Sequence, residues 1–444
     1  MIQNRVALAA TPQREAALAC IESGIDAANP ERVIETKLAL EQDVLVIDGH
    51  AYDLDDYDRI LVVGGGKAND AVATGLERLL GDRIDDGAVV TLGPARSSRI
   101  DRLPGNHPVP GEASVESTDR ILSIAERSDE SSLVLAPITG GGSALMTAPA
   151  DGIELADLQT VTDALLRSGA DIGEINTVRK HLSRIKGGGL ARAAAPATIV
   201  GLIFSDVVGN ELGVIASGPT APDHSTFTDA IEILDRYAVE APESIRRRLE
   251  DGRAGVVEET PGSDNPVFDR VTNHVLADSF TALEAASEAA TELGYTPCIL
   301  ASGVTGEARE SAKTHVAIAE ESLESGHPVE PPVVLLSGGE TTVTVRGSGT
   351  GGPNQEFALS AALSGSKPIT VASVDTDGED GSTDAAGGIV DDSTIDDPTT
   401  ARAALDDNDA YPFLEQRSGL VMTGSTGTNV NDLRVLVIGS TSDL

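Results

Sequence analysis

One pattern recurs along this chain and limits the folds open to it. An apolar run of strand length ends in Gly, Ser or Asp, and a segment with helical periodicity follows it. The pattern occurs at 59–67, 132–144, 198–206, 332–340 and 367–378, and a last apolar run occupies 433–439. Continuous apolar strands that alternate with helices are typical of a parallel or mostly parallel sheet covered on both faces. The sequence therefore predicts an α/β fold.

The length of 444 residues predicts more than one domain. A polar stretch with Gly and Pro near 240–270 separates two regions of α/β pattern, so we place the domains at 1–245 and 265–444. Residues 11–45 are predicted to be mostly helical, in two pieces broken near Pro30. Residues 273–300 are predicted to form a strand, a helix and a strand.

The charge of the chain excludes some classes of partner. The formal net charge is −39, from 32 basic and 71 acidic residues. This balance argues against binding to nucleic acid or to an anionic membrane, because both are polyanions. The acidic residues are spread along the chain, as they are in proteins of salt-accumulating organisms. A halophilic source is therefore predicted, and the alternative is an ordinary acidic cytosolic enzyme. The chain shows no apolar signal segment and no 18-residue apolar stretch, so a cytoplasmic protein is expected.

The first candidate site is the GGGK segment that ends the apolar run at 59–67. It does not match the Walker A pattern, and Asn69 stands where a dinucleotide fingerprint needs its third small residue. The amides of Gly65 and Gly66 and the charge of Lys67 are nevertheless suited to an anion at a strand end. Lysine is rare here, with six in the chain, which makes Lys67 more informative. The alternative is a turn that carries an exposed lysine.

A second glycine-rich segment, ITGGGSALM at 138–146, also follows an apolar run. The backbone amides of Gly141, Gly142 and Ser143 are predicted to hold a carboxylate or a phosphate. Close packing at the strand exit is the alternative explanation for these glycines.

The segment 176–191 concentrates positive charge in an acidic chain. Its basic residues are Arg179, Lys180, His181, Arg184 and Lys186. The apolar positions have helical spacing, so Lys180 and Arg184 are predicted to point together from one helix, which ends at the glycines 187–189. An anion cleft is predicted; the alternative is favourable charge at the C-terminus of a helix.

Further candidates are carboxylates and glycines at other strand ends. Asp206 follows an apolar run and is predicted to be a general base or a Mg²⁺ ligand, with a loop-capping Asp as the alternative. In the second domain, 337–340 is predicted to be a glycine-rich strand exit, and 353–356 is predicted to open a helix. Asp375 and Asp377 fit only part of a calcium-loop pattern, so they are candidates for Mg²⁺ or nucleotide hydroxyls, or simply acidic surface.

Ten motifs in this order resemble the class II glycerate kinases. They are GGGKA, GNHPVPGEAS, TGGGSALM, NTVRKHLSRIKGGGLA, SDVVGN, ASGPT, LSGGETTVTV, GGPNQEFAL, DTDGEDGSTDAAGG and TGTNVNDL, and they span roughly 5–440. The resemblance implies a Rossmann-like N-terminal domain, a smaller C-terminal α/β domain with a MOFRL region at about 331–440, and an active site in the cleft between them. It implies phosphorylation of D-glycerate by ATP with Mg²⁺, commonly to 2-phosphoglycerate.

The resemblance also implies roles for individual residues. The lysine proposed to be catalytic in this family falls on Lys67. Where the family often has an Arg before its Asn-x-Glu segment, this chain has Pro353, so Arg346 or Arg184 is the candidate to neutralise phosphates. The family often reads SDVxGDD where this chain has Asn210 and Glu211, which leaves Asp206 as the metal candidate.

These observations combine into one mechanistic hypothesis. Glycerate is predicted to bind at Gly65, Gly66 and Gly141 to Ser143, with Arg179 or Lys180 near its carboxylate, while Lys67 and Arg184 stabilise the transferred phosphoryl group. Asp206 would orient or deprotonate the attacking hydroxyl. The predicted nucleotide-binding residues are Lys186, Ser337, Gly338, Gly339, Glu340, Asn354, Gln355, Glu356, Asp375 and Asp377. The expected state is a monomer or homodimer, and the rival functions are a hydroxypyruvate reductase and a non-enzymatic nucleotide- or anion-binding protein.

Overall fold

Residues 1–93, 99–365 and 367–439 are described by the structure, a computed structural model. The last five residues of the predicted second domain, 440–444, lie outside the described residues. The chain divides into two units. The central unit is Val33–Leu276, and the terminal unit combines Met1–Arg32 with Ala277–Leu444.

This division differs from the predicted domains at 1–245 and 265–444. The N-terminal helix Pro12–Ala27 buries Leu18, Ile21 and Ile25 in the core of the terminal unit, because that core offers an apolar surface of strands and a helix. The boundary also moves to 276, since the strand predicted near 273 pairs in the sheet of the central unit.

Nine strands are found in the described residues of the central unit. A small antiparallel sheet is formed by β1 (Leu38–Glu41), β2 (Val44–Ile47) and β3 (His50–Asp53). A six-stranded sheet is formed by β4 (Arg59–Gly65), β5 (Asp86–Thr91), β6 (Asp101–Pro104), β7 (Ser132–Ile138), β8 (Thr198–Phe204) and β9 (Val271–Ala277). The predicted helices at 11–45 therefore end at Lys37, and a meander of short strands with tight turns replaces the rest.

The helices of this part of the chain are Pro30–Lys37, Asn69–Leu80, Glu112–Ala125, Gly142–Leu145, Leu155–Ser168, Ile172–His181, Gly189–Ala194, Phe227–Arg236 and Glu243–Arg253. Short 3₁₀ turns occupy Leu54–Asp56, Gly81–Arg83, Ile215–Ser217 and Pro266–Arg270.

The order of the large sheet is β6-β5-β4-β7-β8-β9, and β4 to β8 pair in parallel. Counted within this sheet, the order is 3-2-1-4-5-6, which is the Rossmann arrangement. The predicted Rossmann-like sheet is confirmed. In such sheets the strand order reverses between the first and fourth strands, and ligands bind outside the carboxyl ends there. Here that switch point lies between β4 and β7.

The terminal unit is also α/β, but its sheet is mixed. Its strands are β10 (Thr296–Glu307), β11 (Val333–Thr342), β12 (Ile369–Asp375), β13 (Gly387–Val390), β14 (Leu420–Val421) and β15 (Asp432–Ile438). Their order is β10-β11-β15-β12-β13-β14, and β15 inserts antiparallel between β11 and β12. Its helices are Arg5–Leu8, Pro12–Ala27, Ser279–Glu292, Ala308–Ser325, Pro353–Ser364, Pro398–Asp406 and Ala410–Glu415.

Candidate functional site

The exits of β4 and β7 touch at the switch point. The Lys67 amide donates to the Gly140 carbonyl at 2.8 Å, and the Thr139 amide donates to the Gly65 carbonyl at 3.3 Å. A side chain on Gly66 would collide with Thr139, and Gly66 has φ +148. Gly65 and Gly66, predicted to bind substrate, thus allow two strand exits to approach closely.

The side chain of Lys67 lies over the second glycine-rich turn. A methyl group added at Gly141 would lie 2.9 Å from Lys67 Cγ. Asp206, which follows β8, packs its carboxylate against Gly140. Burial raises the pKa of Asp206, and the charge of Lys67 opposes that rise. Within the described residues the Lys67 ammonium makes no ion pair, so its charge is available to a ligand.

A cavity of about 240 Å³ opens beside this turn. Its polar and charged lining consists of Ser143, Thr162, Asp163, Arg179 and Lys186, beside the backbone of Gly141. The rest of the lining is formed by loop and helix residues, namely His107, Pro108, Val109, Pro110, Ala144, Thr147, Leu158, Gln159 and Leu166. The guanidinium of Arg179 brings positive charge to the lining of this small cavity, which indicates an anionic ligand.

Arg179 is a half-buried basic residue of this cavity. It lines the cavity from the helix Ile172–His181. Burial lowers the pKa of its guanidinium, which remains protonated at neutral pH. No hydrogen bond or ion pair to its guanidinium occurs in the part of the chain that the structure describes. A half-buried cation without a counter-ion is suited to bind a carboxylate.

Lys186, which is predicted to contact nucleotide, bonds the protein backbone in the structure. It is buried, and its Nζ donates to the carbonyls of Ser143, at 2.5 Å, and Met146, at 3.1 Å. Burial and the charge of Arg179 lower the pKa of Lys186 to about 7. Lys186 therefore fixes the turn that carries Ser143.

A strained loop supports the same turn. Ser143 Oγ lies 2.6 Å from Ser217 Oγ, which also bonds Asn176 Oδ1 at 3.0 Å. Ala216 and Ser217 have φ of 49° and 63°, in the left-handed region that costs about 1–3 kcal/mol per residue. Backbone hydrogen bonds from Gly187 and the following glycine hold this loop. Sequence reasoning quoted ASGPT but assigned no role to Ser217 or Asn176.

The basic residues of the predicted anion cleft do not act together, because most of them bond different groups of the protein. The helix ends at His181, before Arg184, so the prediction that Lys180 and Arg184 share a helix face is wrong. The chain leaves the helix because Ser183 pairs as a β-bridge with Pro149. The glycines 187–189, predicted to end that helix, lead instead into the helix Gly189–Ala194.

Lys180 and Arg184 are therefore paired elsewhere. Lys180 forms an ion pair of 3.2 Å with the buried Asp223. The Arg184 guanidinium bonds Asp119 and, at 3.1 Å, the Pro149 carbonyl, and it lines a separate cleft. The roles predicted for Lys180 and Arg184 at the site are not supported by these positions.

The strand exit predicted in the terminal unit lies within a strand. β11 continues to Thr342, so Ser337, Gly338 and Gly339 are buried inside the sheet. The Ser337 hydroxyl lies 2.8 Å from His315 Nε2. Only Glu340 of this predicted group is exposed, because the strand pairs on both sides up to this point.

The helix Pro353–Ser364 begins on a protein carboxylate. The amides of Asn354 and Gln355 donate to Asp380 at 2.9 and 2.8 Å. Glu356 is buried and pairs with Arg309 at 2.7 Å. Asp380 occupies the anion position at this helix N-terminus, and the predicted contacts of residues 354–356 with nucleotide stay a prediction.

The half-buried Asp375 and Asp377 form an acidic cluster with the buried Asp380 and Asp432. Burial and the charges of Asp377 and Asp432 raise the pKa of Asp375 well above its usual range. Asp432 is held by the buried Arg434 and by Asn354, at 2.7 Å. Within the described residues, no group of three or more His, Cys, Asp and Glu is arranged to hold a metal ion.

This cluster predicts a pH dependence of stability. Burial raises the pKa of Asp380 from 3.8 to about 7, so the folded state holds more protons than the unfolded state between those values. The contribution of Asp380 therefore falls as the pH rises through this range and is constant above it. We expect Asp380→Asn to lose this contribution, so that its free energy of unfolding improves relative to wild type from pH 4 to 7.

Urea unfolding at a series of pH values measures this difference. Glu379→Gln, at an exposed neighbouring carboxylate, is the matched control and should show little change with pH. A constant difference between Asp380→Asn and wild type across the range would contradict the prediction.

None of the described helices combines the length and the apolar character that crossing a membrane requires.

Comparisons with known proteins place this geometry in a family context. Residues 16–250 match a domain of unknown function (DUF4147), and residues 333–432 match the MOFRL family. A glycerate 2-kinase of Pyrococcus horikoshii is 42% identical over 96% of this chain and 98% of its own length. A protein of Agrobacterium vitis named putative hydroxypyruvate reductase is 44% identical over 86% of this chain and 87% of its own. The crystal structure of a glycerate kinase from Thermotoga maritima matches with a TM-score of 0.83 at 38% identity, covering 96% and 99% of the two chains.

Proposed function

The chain belongs to the glycerate kinase family, and from this membership we infer that it is an enzyme that phosphorylates glycerate. We propose that the cavity beside Gly141 to Ser143 in the central unit is the acceptor site. The observation that carries this assignment is Arg179, a half-buried cation that lines the cavity without a counter-ion among the described residues.

Glycerate has one carboxylate and two hydroxyls, and the cavity offers complementary groups. The carboxylate is proposed to bind the Arg179 guanidinium, because charge-assisted hydrogen bonds are about twice as strong as neutral ones. The turn at Gly141 to Ser143, held by Lys186, supplies backbone groups beside it. This arrangement leaves the hydroxyl end of glycerate toward Lys67, which lies over Gly141.

Phosphoryl transfer depends mainly on positioning and on neutralising charge. Lys67 is proposed to stabilise the transferred group, since its ammonium has no ion pair among the described residues. The donor is proposed to be ATP with Mg²⁺. Proteins usually hold Mg²⁺ by one or two carboxylates together with substrate phosphates, and Asp206 is suited to that limited role. Transfer to the 2-hydroxyl is proposed because a close relative is named a glycerate 2-kinase.

One assay tests the function as a whole. The protein is incubated with ATP, Mg²⁺ and D-glycerate in high KCl, and glycerate-dependent formation of ADP is expected. Direct coupling to enolase, without a mutase, should consume the product if it is 2-phosphoglycerate. ADP formation that does not depend on glycerate would contradict the assignment.

The name hydroxypyruvate reductase, carried by a relative, implies a nicotinamide site. The dinucleotide fingerprint fails at Asn69, and the structure uses this side chain to donate to the Pro137 carbonyl at 2.9 Å. We therefore propose the kinase. Oxidation of NADH with hydroxypyruvate, in the absence of ATP, would instead support the reductase.

Arg179→Gln tests the acceptor site. Loss of a charge-assisted hydrogen bond of about 1.5–3 kcal/mol predicts a KM for glycerate that is about 10- to 100-fold higher. The KM for ATP should change little. Initial rates over a range of glycerate concentrations measure this effect.

Arg184→Gln is the matched control, because Arg184 was predicted at the site but bonds Asp119 outside the cavity. It should leave the KM for glycerate within about 2-fold of wild type. If Arg184→Gln raised this KM and Arg179→Gln did not, the carboxylate site would lie elsewhere.

A further inference from the structure

A loop at the edge of the cavity is fixed at both ends. It follows β6, where the Gly105 amide donates to the Thr91 carbonyl at 2.7 Å and the Asn106 amide donates to Ser114 Oγ at 2.8 Å. At its other end, Gln159 Nε2 donates to the Pro110 carbonyl at 2.6 Å. The side chain that this braced loop presents to the cavity is His107.

His107 lies across Gly141 from Lys67. A methyl group added at Gly141 would be 3.3 Å from His107 Nε2 and 2.9 Å from Lys67 Cγ. The imidazole and the lysine chain therefore flank the same turn, where the hydroxyl end of glycerate is proposed to lie.

The imidazole is also not used by the fold. Five of the seven histidines make hydrogen bonds, namely His50, His181, His274, His315 and His327. In the described part of the chain, the His107 ring has no hydrogen-bond partner, and the side chain is exposed to the cavity. A ring held in place by its loop but without a partner is available to a ligand.

We propose that His107 is the catalytic base of the phosphoryl transfer and accepts the proton of the attacking hydroxyl of the acceptor. This inference rests on the proposed function, because it places a glycerate hydroxyl between His107 and Lys67.

The acceptor oxygen forms a bond to the γ-phosphorus of ATP, and the bond between that phosphorus and the β–γ bridging oxygen breaks. The hydroxyl proton moves to the free imidazole nitrogen, and ADP leaves with the electron pair of the broken bond. The imidazolium then returns its proton to solvent, which restores the neutral base.

The charges around His107 favour its neutral form. Lys67 acts on it from the exit of β4, and the lining of the cavity carries Arg179, Lys186 and, from the helix Leu155–Ser168, Asp163. Burial and the Lys67 charge lower the pKa of His107 below its usual value of 6.5. A neutral imidazole at physiological pH is able to accept a proton.

Asp206 is the alternative base and is placed less well. It packs against the backbone of Gly140 and close to Lys67, and it is not one of the residues that line the cavity. Its position next to Lys67 leaves it the metal role proposed above, whereas His107 lines the cavity directly.

The test compares wild type, His107→Gln, His107→Ala and Asp206→Asn by kcat and by the pH profile of kcat/KM for glycerate. His107→Gln should lower kcat by about 100-fold or more with a nearly unchanged KM for glycerate. In wild type, kcat/KM should fall at acidic pH, with a midpoint below the usual imidazole pKa of 6.5, because the base becomes protonated. This acidic fall should be absent in His107→Gln, and added imidazole should restore part of the activity of His107→Ala.

His224→Gln is the matched control, since His224 is also exposed but does not line the cavity. It should keep the wild-type rate and profile. The inference is overturned if His107→Gln keeps the wild-type kcat or keeps the acidic fall of kcat/KM. An acidic fall that disappears only in Asp206→Asn identifies Asp206 as the base. If wild type itself shows no glycerate-dependent ADP formation, the proposed function fails first, and the two failures remain distinct.

Discussion

Lys67→Ala is expected to lower kcat by about 10²- to 10³-fold while the melting temperature changes by no more than about 2 °C. The loss in rate follows from the position of Lys67 at the switch point, where a charge aimed at the developing phosphoryl group is worth several kcal/mol. The fold should be unaffected, because the ammonium makes no ion pair among the described residues.

The measurement is glycerate-dependent formation of ADP at saturating substrates, with thermal unfolding followed in the same buffer. Lys313→Ala is the control, because Lys313 is an exposed lysine paired with Glu310 on a helix. It should retain full activity. A Lys67→Ala enzyme with near-normal kcat would remove Lys67 from the mechanism.

Arg434→Met is expected to destabilise the terminal unit by about 3–5 kcal/mol. Arg434 is completely buried and pairs with Asp432, and its charge also acts on Asp375 and Asp380. Its removal leaves the buried Asp432 carboxylate without its cation, and an uncompensated buried charge is far more costly than a lost surface pair.

Urea unfolding at neutral pH measures the loss. Arg402→Met, at an exposed position on the helix Pro398–Asp406, should change the free energy of unfolding by less than about 0.5 kcal/mol. The double variant Arg434→Met, Asp432→Leu should recover part of the loss, because it removes the carboxylate closest to the arginine. A single variant within 1 kcal/mol of wild type would show that the cluster does not depend on this cation.

The strands could be predicted from sequence because their signal is local. The ranges 59–67, 198–206 and 433–439 are rich in consecutive apolar residues, and a strand occupies most of each range. The pairing of these strands is a property of the whole chain. The last run inserts antiparallel between β11 and β12, and the helix Pro12–Ala27 joins the terminal unit, because partners distant in sequence provide the apolar surfaces.

The sequence predicts which loops carry the candidate site, but it predicts less well which side chains of those loops face the cavity. The glycine-rich turn, Lys67 and Arg179 lie together, as the strand-end argument predicts. The partners of the basic residues could not be predicted from sequence, because they are distant in the chain. Lys180 pairs with Asp223, 43 residues away, and Arg184 pairs with Asp119, 65 residues away. His107 was quoted in a motif and received no role, because a single histidine after a short strand has no distinctive spacing.

The terminal unit draws on both ends of the chain, and this has a consequence for biosynthesis. The helix Pro12–Ala27 emerges from the ribosome some 250 residues before β9 ends and the remainder of its unit begins. At about 5–20 residues per second, its apolar face must wait for roughly 10 s or more without its core. The central unit is complete by Leu276 and can fold during that interval, whereas the terminal unit closes only when the last strand, Asp432–Ile438, has been made. The terminal unit is therefore the first whose synthesis begins and the last that can complete its folding.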